Sequence, residues 1–274
     1  IGYVRCSDFL QRGLGVEKDE QKAKEYMEIA CQPKYADDQL ALALLYSRAK
    51  GVTKDNDQRF RWTLISANNG NSVAQANLSG FYIHGTGCEP DIDKSLEWAM
   101  KSAEAGNDHG MWAVARAYRK KKDDKKTKIG DKKKIKKDKE IKEFEDKELE
   151  YLKKSAQVGY EKALTDLGSK YKDMKNFKEA ALCFKEAAED RIPLGLFCYG
   201  EYLLTGEYVP TKDVDAGVKM IEDAAEMGLQ KAVEKMIDIY SNGLEGIKKD
   251  DKKAQKYKDI LKKIDKPRKK KSSV

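Results

Sequence analysis

Apolar positions in this chain recur at helical spacing, in paired segments. Leu42 with Tyr46, and Leu78 with Tyr82, stand four apart, a spacing that puts both side chains on one face of a helix. Each such segment runs into a glycine-rich turn, as at Gly85-Thr86-Gly87, where glycine supplies the positive φ that ends a helix at little steric cost. An aspartate follows where an N-cap is wanted, as at Asp91. A second segment then places Trp98, Ser102 and Ala105 at i, i+4 and i+7, one stripe of a second helix. Its small residues let a neighbouring helix approach, and a closing glycine ends it. Neither helix can bury its apolar side alone, so the pairs must stack.

The pattern repeats along the chain. Gly15-Val16-x-x-Asp19-x-x-Lys22-Ala23-x-x-Tyr26 returns as Gly51-Val52-x-x-Asp55 with Trp62 in the aromatic slot. It returns again as Gly87-Cys88-x-x-Asp91-x-x-Lys94-Ser95-x-x-Trp98, and as Gly246-Ile247-x-x-Asp250 followed by Ala254 and Tyr257. Degenerate copies put Tyr151, Cys183 and Met220 in the slot. The slots are 36, 36, 53, 32, 37 and 37 residues apart. A small residue stands five after the slot at Cys31, Ala67, Ala103, Ala156, Ala188 and Ala225, and glycine three further on at Gly70, Gly106, Gly159 and Gly228.

These residues resemble the Sel1-like repeat, a relative of the tetratricopeptide repeat. The best match runs from Ala74 to Gly106, through Leu78, Tyr82, Gly85, Gly87, Asp91, Lys94, Trp98, Ser102-Ala103 and Gly106. The resemblance implies an all-α, right-handed α/α superhelical solenoid of about seven helix-turn-helix repeats over residues 1–261. Some units depart from the pattern. The fifth, Leu164–Arg191, lacks Gly-x-Gly and reads more like an ordinary tetratricopeptide repeat. The fourth is split after Tyr118. The sixth and seventh carry an extra residue at the turn. Members of this family act as adaptor scaffolds, and some form tails on catalytic domains. A cysteine-rich secreted branch does not fit, because the five cysteines here are unpaired in spacing and contain no C-x-x-C. That usage points to a reducing compartment and argues against a cysteine zinc site.

Charge changes the picture only locally. The chain has 274 residues and a formal net charge of +8. Residues 119–148 carry +6 and residues 262–274 another +6, which leaves the remainder at −4. The basic pI therefore does not describe a basic binding face. Residues 119–132 lack an apolar stripe and contain Gly130, which predicts a flexible Lys-rich insertion, about 119–140, within repeat 4. From about Lys133, Ile141, Phe144, Glu148, Leu149, Leu152 and Ala156 regain helical spacing. The second helix of that repeat is therefore expected to start early and project, helped by Glu143 with Lys147 at i, i+4. Residues 262–274 read as a basic, disordered tail, and Lys266-Pro267-Arg268-Lys269-Lys270-Lys271 resembles a nuclear-localisation segment. The expected location is cytoplasmic or nuclear. The Lys-rich segments could contact acidic surfaces weakly. Nucleic acid is disfavoured, because aromatic interleaving is absent.

The sequence offers little catalytic chemistry. His84 and His109 are the two histidines, and both fall at turns. There is no Gly-x-Ser-x-Gly elbow and no P-loop. The carboxylates are scattered over solvated helix faces. The expectation is no catalysis, no metal and no cofactor. The longest apolar runs are a few residues, too short for a membrane span. First helices of related solenoids line the concave face, and positions two before and two after the first-helix tyrosine lean that way. These positions are Arg48, His84, Arg116, Lys120, Asp173, Glu201, Asp238 and Asn242. Trp112, which does not recur in phase, lies nearby. The expected function is a protein–protein interaction scaffold. A peptide or partner helix would lie in a groove with a basic N-terminal half and an acidic C-terminal half. The alternative is a regulatory or docking tail of a larger enzyme, such as a protein kinase, with its catalytic domain upstream.

Overall fold

The computed structural model describes residues 2–48, 55–127, 134–244 and 246–265, with backbone alone for 48, 127, 134–137 and 265. Gly51-Val52 of the second repeat and the basic stretch 266–271 lie outside the described residues. Those described form fourteen α-helices and no named strand. Two compact units divide the chain, residues 1–160 and 161–274.

The first unit holds four helix pairs: α1 (Gly2–Arg12) with α2 (Glu20–Ala30), α3 (Ala36–Arg48) with α4 (Asn56–Asn68), α5 (Ser72–His84) with α6 (Ile92–Glu104), and α7 (Asp108–Thr127) with α8 (Lys134–Gln157). The second unit holds three: α9 (Glu161–Asp173) with α10 (Phe177–Glu189), α11 (Pro193–Thr205) with α12 (Val214–Glu226), and α13 (Gln230–Asn242) with α14 (Asp251–Asp265). This is the all-α solenoid that the repeat predicts.

The turn chemistry works as the sequence requires. Asp19, Asp55, Asp91, Asp213 and Asp250 each accept from a backbone N–H in the first turn of the helix that follows, at 2.9–3.1 Å. The amide of the capping aspartate also reaches back to its own first helix. Asp19, Asp91, Asp213 and Asp250 donate to the carbonyls of Leu10, Tyr82, Leu203 and Tyr240. One residue therefore starts the second helix and fixes its distance from the first. The two glycines of the turn have different duties. Gly85 caps α5 at φ 66°. At Gly87 a Cβ would collide with the backbone carbonyl of Asn56, at the start of α4. The first glycine ends the helix, and the second lets successive pairs close up.

The aromatic slot is core in three repeats, with Trp62, Trp98 and Tyr257 buried. Tyr26, Tyr151, Cys183 and Met220 are half-buried. In the three degenerate copies the residue after the slot, Leu152, Phe184 or Ile221, is the one fully enclosed. A further regularity lies four after the slot. The buried hydroxyls of Ser66, Ser102 and Ser155 donate to the carbonyls of Ala36, Ser72 and Asp108, the opening residues of the paired first helices, at 2.6–2.8 Å. In the second unit this place is taken by Ala187 and Ala224, both fully buried.

The split fourth repeat corrects the expectation of a flexible segment over 119–127, while 128–133, with Gly130, lie outside the described residues. Residues 119–127 continue α7, which runs for 20 residues, and α8 runs for 24. The reason is ionic pairing along the two helices, which an apolar-stripe criterion does not register. Glu148, fully buried, accepts from Arg119 at 2.6 Å and from Lys122 at 3.2 Å. Lys125 pairs with Glu140, and Lys126 with Glu145. Tyr118 meets Phe144 at the root of the extension, ring centroids 6.1 Å apart. Lys147 pairs with Glu150 at 3.0 Å rather than with Glu143.

Candidate partner-binding surface on the first helices

In the first unit, α5 and α7 are consecutive first helices packed side by side. Their register brings His84, at the C-terminus of α5, to the Arg116 guanidinium on α7, with His84 Nε2 2.9 Å from Arg116 Nη2. The nitrogen accepting that bond must be unprotonated. One helical turn back along α7, the Trp112 ring lies under the Arg116 guanidinium at 4.6 Å, a cation–π contact. The Trp112 ring also meets His109 at 5.6 Å and Tyr160 at 5.4 Å, and His109 stacks on Tyr160 at 5.4 Å and 20°. Three predicted residues, His84, Trp112 and Arg116, thus form one cluster across adjacent repeats. Trp112 is a half-buried member of a ring stack.

The other predicted positions are more dispersed. Lys120 is exposed and holds Asp124 at 2.8 Å on the same helix. The side chain of Arg48 lies outside the described residues. In the second unit Glu201 on α11 pairs with Lys235 on α13 at 3.7 Å, again across consecutive first helices. Asp238 accepts from Asn242 at 2.7 Å, and Asp173 is exposed at the end of α9. Lys235 partly neutralises the acidic surface expected there. Sequence reasoning missed His109 and Tyr160. His109 lies in the first turn of α7, not in the inter-repeat turn expected for it, and Tyr160 sits between α8 and α9; a repeat pattern reads only caps at these places, and their aromatic character was the available signal.

All five cysteines are free. Cys198 is half-buried, and burial pushes its thiol up to about 11, so it stays a protonated, unreactive thiol at neutral pH. Among the described residues no helix is long and apolar enough to cross a membrane.

The comparisons with known proteins agree with this architecture. The Sel1 repeat model matches residues 2–32, 36–71, 72–107, 194–229 and 238–257. Residues 108–193, left unmatched, contain the extended fourth repeat and the glycine-poor fifth, yet their helices pair as the others do. No curated protein matches the chain significantly. Among solved structures, a Sel1 repeat protein from Oxalobacter formigenes is similar over 95% of this chain and 99% of that one, at 21% identity and a TM-score of 0.68. The immunity protein PA5088 from Pseudomonas aeruginosa is similar over 84% of this chain and 81% of that one, at 19% identity and a TM-score of 0.56. At these identities the likeness speaks for the fold. Sel1 repeats generally act in protein–protein interaction. Repeat period, capped turns, stacked helix pairs and family match coincide over more than half of the sequence, and the chain belongs to the Sel1 repeat family.

Proposed function

We propose that the chain is a non-catalytic adaptor that binds a peptide or partner helix on the concave face lined by its first helices. The observation that carries this reading is the cluster of His84, Trp112 and Arg116. These are non-repeated side chains, drawn from successive repeats onto one first-helix surface. Repeated residues hold the solenoid, so ligand choice falls to the residues that break the repeat. An amphipathic ring stack edged by a guanidinium is also the kind of group that dominates protein interfaces. Of the predicted set, Arg116 and Lys120 give the first unit a basic first-helix surface beside His84 and Trp112. Glu201, Asp238 and Asn242 give the second an acidic one.

The Lys-rich extension plays a smaller part in this reading. On the described part of α7 the lysines are engaged internally: Lys120 with Asp124, Lys121 with Asp93, Lys122 with Glu148, Lys125 with Glu140 and Lys126 with Glu145. Such a surface contacts acidic partners weakly and is poorly suited to a phosphate backbone, which rewards uncompensated cations. Five free thiols fit a reducing compartment, so we place the adaptor in the cytoplasm or nucleus.

Alanine at Trp112 and Arg116 together tests the assignment, with circular dichroism to confirm that the helices remain. Affinity for a partner isolated with the whole chain is expected to fall at least tenfold. Unchanged affinity in a folded double variant overturns the reading. Arg116→Gln alone gives the same answer if the double variant melts.

A further inference from the structure

We infer that the gap between the first two helix pairs is a pocket for a lysine or arginine side chain of a partner peptide. The gap has a local cause. Helix α2 spans 11 residues where α4 and α6 span 13, and Pro33–Tyr35 forms a 3-10 turn in place of the glycine turn used at Gly70 and Gly106. As a result α2 does not lie against α3 as closely as α4 lies against α5, or α6 against α7.

The space left is about 390 Å³, within the range of small-ligand pockets. Tyr3, Tyr26, Tyr35, Trp62 and Leu42 supply its walls. The Tyr3 ring stands 5.8 Å from both Tyr26 and Tyr35. The polar groups divide sharply. Gln39 is fully engaged: its amide donates to the carbonyls of Ala30 and Gln32, and its oxygen accepts from Asn69. Asp38 is the one charged residue of the lining, exposed at the mouth, and its carboxylate has no partner among the described residues.

Aromatic walls with an uncompensated carboxylate at the entrance attract a cation carried on an apolar stem. A wholly apolar side chain would instead desolvate Asp38 without return. Lys34 already rests its ammonium 5.1 Å from the Tyr35 ring centroid, so this ring accepts a cation in the free protein. The peptide context rests on the adaptor reading, but the pocket uses residues separate from His84, Trp112 and Arg116.

The test is calorimetric titration of the whole chain with blocked glycine-serine pentapeptides bearing a central arginine, lysine or norleucine. Saturable binding of the cationic peptides is expected, with norleucine at least tenfold weaker. Asp38→Asn, an exposed change that leaves the core alone, is expected to weaken the arginine peptide at least fivefold. The Trp112→Ala/Arg116→Ala double variant should bind it unchanged, so failure of the groove and failure of the pocket are distinguishable. Equal binding of norleucine, absence of saturable binding by any of the peptides, or cationic binding undiminished in Asp38→Asn overturns the proposal.

Discussion

At the scale of single residues, the backbone decides more than the side chains do. Gly70, Gly106, Gly159 and Gly228 close second helices at φ between 78° and 89°. At Gly70 a Cβ would meet nothing within 4 Å, so Gly70→Ala isolates the backbone strain. A loss of about 1 kcal/mol is expected in chemical denaturation. The fifth repeat has Arg191 in the same place at φ 57°. Arg191→Gly removes that strain together with a 3.6 Å pair to Asp223 in which Arg191 is largely exposed, and such pairs contribute little. A gain of up to about 1 kcal/mol is expected, and a lowered denaturation midpoint would contradict it. The sequence made the glycine positions legible because periodicity exposes them. It could not show that Arg191 tolerates the same conformation, since an arginine carries no signature of positive φ.

At the scale of the helix and its caps, charge is used where it can be satisfied locally. Hydrogen bonds from the backbone N–H of Lys94, then the charge of Lys94 and the N–H of Asp93, hold the Asp91 carboxyl below its ordinary value. A carboxylate with a lowered folded-state value stabilises the fold above its unfolded value, near pH 4. That contribution fades as pH falls through the folded value. Asp91→Asn keeps a capping side chain but removes the titration. Its deficit in melting temperature should be present at pH 7 and shrink below about pH 4; a deficit independent of pH would show that the charge plays no part. The paired extension of α7 and α8 follows the same logic with higher stakes. Breaking a buried ion pair typically costs about 3–5 kcal/mol, and Arg119 is partly exposed, with 36% of its side chain accessible. Glu148→Gln is therefore expected to destabilise the first unit by roughly 2–4 kcal/mol, measured by denaturation. The extension also marks a limit of pattern reading. The glutamate appeared in the sequence as a member of the α8 stripe, but its partners on α7 lay in a segment with no apolar phase. Ion pairs between two helices leave no periodic trace.

At the scale of the molecule, the repeat made the fold legible, and the candidate surface less so. Stacked pairs follow from Gly-x-Gly turns, capping aspartates and slot aromatics, which recur in phase. In the proposed reading, ligand choice falls to residues that do not recur, such as Trp112 and Arg116. Counting from the first-helix tyrosine located His84 and Arg116 on one surface because both helices keep the same register. It did not find Tyr160 or His109, whose rings complete the cluster from the α8–α9 connection and from the first turn of α7. The opening between α2 and α3 was equally silent. Its cause is the absence of a closing glycine after Cys31, and its chemistry depends on rings that converge from α1, α2, α4 and the Pro33–Tyr35 turn.

The central claim is that partners are held by the first helices. Hydrogen–deuterium exchange of the whole chain, alone and with a bound partner, tests it most directly. The account predicts added protection on first helices, α5 and α7 in the first unit or α11 and α13 in the second, with the second helices unchanged. Protection confined to the second helices, or to the charged extension of α7 and α8, would contradict it.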